Sequence, residues 1–217
     1  MSLWVKICAN TSLEDARLAA DAGADALGFV FAPSPRRVTP AHVATITPHL
    51  SPAIEKIGVF VDAPLEEITA TVKTAGLTGV QLHFNAPPDL PAKLKARIGH
   101  SLRVLRVIHF EPESAVTDLG LDASVDAVLV DSRTATAVGG TGKTFDWSLA
   151  SETFFQNAKA WKRIAAGGLT PENVAEAIAI LHPWGVDVVS GVEAAPGRKD
   201  PAKVRAFIAN ARTADRG

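Results

Sequence analysis

Eight short apolar runs recur along this 217-residue chain, and their spacing constrains its fold more than any other feature. They lie at Trp4–Cys8, Ala26–Phe31, Lys56–Val61, Gly79–His83, Arg103–Ile108, Ala127–Asp131, Arg163–Ala166 and Val186–Ser190. Their starts are mostly roughly 22 to 36 residues apart, room for one strand, one helix and two turns. Most are near-continuous rather than alternating, the pattern of parallel strands covered on both faces. Helix starts fall between them. Ser12 is placed to cap a stripe through Leu13, Ala16, Ala20 and Ala24, and Thr39 precedes Pro40 as a cap precedes a first-turn proline. Asp62-Ala63-Pro64, Thr170-Pro171-Glu172-Asn173 and Asp200-Pro201 carry similar signals. The segment Glu111 to Ser124 is the weakest helix, interrupted by Gly120, and Ala211 to Gly217 are expected to fray. The cycle predicts a single-domain α/β protein, a (β/α)8 TIM barrel over residues 1–217, with a polar tail from about 211. A doubly wound open sheet is the structural rival, since periodicity does not show closure.

The totals exclude several classes. A formal net charge of -1 provides no field for nucleic acid or an anionic membrane, so an anionic ligand must be held locally. One cysteine rules out an internal disulfide. The start, Met1-Ser2-Leu3-Trp4-Val5-Lys6, lacks a signal-peptide pattern, and no apolar run approaches the roughly 20 residues that span a bilayer. A cytoplasmic protein is expected. The six histidines are scattered, without metal-ligand spacing.

In a barrel, residues at the C-terminal strand ends share one face. Here they bring together Cys8, Arg36, Asp62, His83, Asp131, the loops Gly139-Gly140-Thr141-Gly142 and Ala166-Gly167-Gly168-Leu169, and Ser190-Gly191. Strands that stop at glycines leave bare N–H groups, which bind phosphate. Backbone amides of Gly140, Thr141, Gly142, Gly167, Gly168, Ser190 and Gly191 are therefore the candidate phosphate site, with Gly191-Val192-Glu193 starting a short extra helix aimed at it. Ala137 to Thr144 also fits a relaxed nucleotide-hydrolase phosphate loop, but its context does not. Ser132 to Thr136 separate it from the strand, Asp146 looks like the next N-cap, and the strand ending in Asp131 precedes the loop.

Val5-Lys6-Ile7-Cys8, Gly28-Phe29-Val30-Phe31, Ser34-Pro35-Arg36 and Val80-Gln81-Leu82-His83 occur in order. They are followed by Asp131, Gly139-Gly140-Thr141-Gly142 with Phe145-Asp146-Trp147, Gly167-Gly168-Leu169 with Pro171 and Asn173, and Ser190-Gly191-Val192-Glu193 with Pro196-Gly197 and Lys199-Asp200. From Val5 to about Asp200 the series resembles the phosphoribosylanthranilate isomerase family of tryptophan biosynthesis. The resemblance implies an Amadori rearrangement of N-(5-phosphoribosyl)anthranilate to 1-(o-carboxyphenylamino)-1-deoxyribulose 5-phosphate. It further implies Cys8 as the base, Asp131 as the acid, Arg36 facing the anthranilate carboxylate, no cofactor, and a monomer or homodimer. The only partner expected is the phosphorylated small molecule, with no nucleic acid and no membrane.

The roles set a physical problem. A free thiol titrates at about 8.5 and a free aspartic acid at about 3.9, so both resting states are the wrong way round at neutral pH. The site must raise the carboxyl and favour the thiolate, and two anionic groups facing one cavity titrate as a coupled pair. Lys6, read as snorkelling at a strand end, and His83, read as a hydrogen-bonded core histidine, stay outside the catalytic set. The sequence departs from the family pattern at Ala9 and Phe84, where glycine is usual, and at Val189, where serine is usual. The change to alanine is costly only where the backbone has positive φ or touches substrate. Two rivals remain. One is a related barrel that also serves histidine biosynthesis, which typically has aspartate in place of Cys8. The other is a non-catalytic barrel that binds a phosphorylated metabolite.

Overall fold

The computed structural model describes residues 2–83, 85–109, 121–131, 146–156 and 161–216. Eight parallel strands follow in chain order: β1 (Trp4–Ile7), β2 (Ala26–Val30), β3 (Glu55–Phe60), β4 (Gly79–Leu82), β5 (Arg103–His109), β6 (Ala127–Asp131), β7 (Lys162–Ala165) and β8 (Gly185–Val188). They close on themselves, β8 returning to β1 in a register that sets Lys6 beside Asp187 and Ile7 beside Val188. Closure removes the open-sheet alternative. Several predicted strands ran one or two residues too far. Cys8, Phe31 and Ala166 still donate ladder-like N–H bonds to Val188, Val59 and Val130, at 2.9, 3.0 and 2.9 Å, but turn away to form the barrel mouth.

Helices α1 (Leu13–Asp21), α2 (Pro40–Ala44), α3 (Leu65–Ala75), α4 (Leu90–Ile98), α5 (Trp147–Ala150), α6 (Val174–Leu181) and α7 (Pro201–Ala214) surround the strands. The side chains of Ser12, Thr39, Asp146 and Asp200 accept first-turn N–H bonds as the sequence predicts. α6 starts later than its signal: Thr170 to Asn173 form a turn before it, with the Thr170 N–H donating to Asn173 Oδ1 at 2.8 Å. Of the weak segment between β5 and β6, Leu121 to Ser124 are not helical, and 111–120 lie outside the described residues.

Alternation along the strands separates two cores. Trp4, Ala26, Ile57, Leu105, Leu129 and Ile164 fill the barrel, whereas Val5, Ile7, Leu27 and Phe29 face the helices. Trp4 stacks on Trp184 with centroids 5.3 Å apart, and Lys162 Nζ stands 4.6 Å from the Trp184 ring, so aromatic bulk fills the N-terminal end. The cleft therefore opens at the other end. The C-terminal residues do not fray as expected. α7 runs to Ala214, Ala211 is fully buried, Asp215 accepts from the Leu3 N–H at 2.9 Å, and Arg212 bonds Asp25 at 2.7 Å. Among the described residues, no helix is long and apolar enough to cross a membrane.

Candidate active site

Period-two alternation on β1 points Trp4, Lys6 and Cys8 into the barrel, one above another. Cys8 is 3% exposed and lines an open cleft of about 1020 Å³, counting its open solvent, at the C-terminal end. Asp131, closing β6 three strands away through β8 and β7, lines the same cleft, as do His83, Gln81 and Asp187. Gly28 on β2 makes room for the thiol. A Cβ there would overlap Cys8 Sγ and stand 3.0 Å from Cys8 Cα, so the position excludes a side chain. Ala9 also lines the cleft and has φ of 62°, the left-handed region. A backbone in that region favours glycine, and here Ala9 carries it with a methyl.

The phosphate-loop candidates divide. Gly167 and Gly168 follow β7 with φ of 82° and 67°, a pair of left-handed residues, and both line the cleft. Asn173 fixes this loop twice, accepting from Thr170 N–H and donating from Nδ2 to Gly168 O at 3.0 Å. Ser190 and Gly191 follow β8, and Gly191 presses on Leu169 so closely that a Cβ would overlap the Leu169 carbonyl. The two loops thus interlock as one surface. The extra helix expected at Gly191-Val192-Glu193 is not present in that form. Ser190–Val192 make a single 3-10 turn, and Glu193 opens β9 (Glu193–Ala195), paired antiparallel with β10 (Arg198–Lys199). Three residues carry little dipole, so the N–H groups themselves are what this loop offers. Gly140, Thr141, Gly142 and Phe84 lie outside the described residues.

Glu193 also meets Arg36, a partner 157 positions earlier. The guanidinium donates from Nε to both carboxylate oxygens at 2.9 and 3.0 Å and from Nη2 to Oε2 at 2.7 Å. One edge of Arg36 is therefore filled, while Nη1 and the rest of Nη2 remain to meet a ligand in the cleft that Arg36 lines. Gly197 N–H donates to Glu193 Oε1 at 3.1 Å, and Lys199 Nζ lies 3.6 Å from it. Buried Lys199 in turn donates to Cys8 O at 2.6 Å, and burial pulls its ammonium below the usual lysine range.

Sequence reasoning missed the cleft floor. Lys6 does not snorkel; it is 0% exposed, with Nζ donating to Asp187 Oδ1 at 2.8 Å and Gln81 Oε1 at 2.9 Å. Burial works against its charge, but Asp187 and Cys8 outweigh that and hold the ammonium above the usual range. Burial also lifts the Cys8 thiol, against the downward pull of Lys6. Strand alternation was the available signal, since a lysine two residues before Cys8 must share its face. Among the described residues, no cluster of His, Cys, Asp or Glu is arranged to hold a metal ion.

A family model described as N-(5'phosphoribosyl)anthranilate (PRA) isomerase matches residues 5–210. The chain belongs to the phosphoribosylanthranilate isomerase family. Among members of that family, the isomerase of Pelobacter propionicus is 48% identical over 205 residues, covering 94% of this chain and 93% of its own. The solved phosphoribosylanthranilate isomerase of Thermotoga maritima superposes with a TM-score of 0.84 at 37% identity, covering 97% of this chain and 99% of that one. A phosphoribosylanthranilate isomerase solved in complex with reduced 1-(o-carboxyphenylamino)-1-deoxyribulose 5-phosphate superposes with a TM-score of 0.80 at 35% identity, with coverage of 97% and 99%.

Proposed function

We propose that this chain isomerises N-(5-phosphoribosyl)anthranilate to 1-(o-carboxyphenylamino)-1-deoxyribulose 5-phosphate, with Asp131 as acid and Cys8 as base. The observation that carries the reading is the common cleft. A thiol and a carboxyl from β1 and β6 open between an interlocked glycine surface and a half-filled guanidinium. Each part matches one part of the substrate. The Gly167–Gly168 and Ser190–Gly191 amides suit the phosphate, and the open edge of Arg36 suits a planar carboxylate. The family membership and the ligand carried by its solved relative support the same reading.

The reaction needs a proton on Asp131 and Cys8 as thiolate, a form that Lys6 favours and burial opposes. Asp131 gives that proton to the furanose ring oxygen. The bond from C1′ to the ring oxygen breaks, and the anilino nitrogen lone pair forms a protonated Schiff base. The Cys8 thiolate then takes the proton from C2′, and the C2′–H electrons form the C1′–C2′ double bond while the iminium π electrons return to nitrogen. The resulting enolamine becomes the ketone by losing its C2′ hydroxyl proton and gaining one at C1′. Exchange with solvent returns the proton from Cys8 to Asp131. A coupled assay following anthranilate fluorescence with freshly made phosphoribosylanthranilate tests this. Turnover supports the isomerase, and none by well-folded protein favours a metabolite-binding barrel.

A further inference from the structure

We infer that Lys6 is a positioning residue for this reaction: clamped under Cys8 by Asp187 and Gln81, its fixed ammonium stabilises, against burial, the anionic form of the cysteine that accepts a proton from carbon. The inference rests on the base role proposed for Cys8, but its test reads the thiol without substrate.

A wholly buried lysine is costly unless its charge and donors are met. An ammonium has three N–H donors. Asp187 and Gln81 take two, from β8 on one side and β4 on the other, which fixes Nζ at the floor of the cleft. Cys8 is the next residue on the same inward face, so its thiol is the neighbour that the third donor faces. Other charges also face Cys8. Lys199 holds its carbonyl, Glu193 is shared between Lys199 and Arg36, and Asp131 and His83 line the same cleft. Of these groups Lys6 acts most strongly to favour the thiolate against burial, and Asp187 opposes it.

Because Cys8 is the sole cysteine, the rate of its alkylation by iodoacetamide, read by intact mass against pH, reports one site. Lys6→Met should move the midpoint up and Asp187→Asn should move it down, each by roughly 1 to 3 pH units. The double variant should fall between them. A merely structural pair would not give shifts of opposite sign. Lys6→Met leaves Asp187 buried without its partner, so far-UV circular dichroism accompanies each variant. Should it not fold, the comparison passes to Asp187→Asn, where adding Lys6→Met must raise the midpoint again. Shifts in the same direction, or no shift, would overturn the inference. Failure of the isomerase assay with these shifts intact would overturn the proposed function, and with it the reaction that Lys6 serves, but not its hold on the thiolate.

Discussion

Replacing Arg36 by lysine retains its charge and removes its geometry. The guanidinium has two edges: Nε and Nη2 hold Glu193 within 3.0 Å, and the Nη1 edge is the one proposed to meet the substrate carboxylate. An ammonium is a point charge without that fork, and Glu193, fixed by Gly197 N–H and near Lys199, is positioned to capture it. The substrate then loses at least one charge-assisted hydrogen bond, about 1.5–3 kcal/mol, or roughly 10- to 150-fold in kcat/KM. Arg36→Ala should lose more. The binding is the same in ground and transition states, so the loss should appear in KM while kcat changes little. Stability should suffer less than the roughly 3–5 kcal/mol expected for an orphaned buried charge, because Glu193 keeps two other partners. Steady-state fluorescence kinetics beside urea melts measure both. An unchanged KM, or a loss confined to kcat, would refute the carboxylate role.

Asn173→Ala should leave Thr170 N–H and Gly168 O without their shared partner and raise KM about tenfold, with kcat less affected; an unchanged KM would separate this loop from the phosphate. Ala9→Gly should change stability by no more than about 1 kcal/mol. Relief of left-handed strain of about 1–2 kcal/mol is offset by a lost buried methyl, about 0.8, and by the freer unfolded glycine, about 0.4–1. A urea midpoint shift beyond that range would disprove the offset. Burial, only partly opposed by Arg103, keeps the Glu55 carboxyl protonated to higher pH than an ordinary glutamate. The folded state thus holds that proton more tightly. Its contribution is complete below the ordinary glutamate range and lost as pH rises through the folded value. Glu55→Gln should flatten that part of the stability profile from the ordinary glutamate range upward; an unaltered slope would contradict the assignment.

The strands were legible because both faces are buried, which writes each one as an unbroken apolar run, and the helix caps because Ser12, Thr39, Asp146 and Asp200 act on amides two or three residues away. Closure needed the structure, since it depends on β1 meeting β8 across most of the chain. The same distance hid the pairs that build the site, Arg36 with Glu193 and Lys6 with Asp187. Asp187 stands alone as a charge in β8, which alternation could have marked as an inward group in need of a partner. The left-handed Ala9 was anticipated only as a condition, because alanine itself gives no sign of positive φ.

The central claim is that the thiol of Cys8 and the carboxyl of Asp131 carry the isomerisation. Turnover by purified Cys8→Ala and Asp131→Asn, followed by anthranilate fluorescence beside far-UV circular dichroism, tests it most directly. Loss of a positioned acid or base should lower kcat by about 10²- to 10⁴-fold in each variant, with the fold intact. Near-normal kcat in either folded variant would contradict the account.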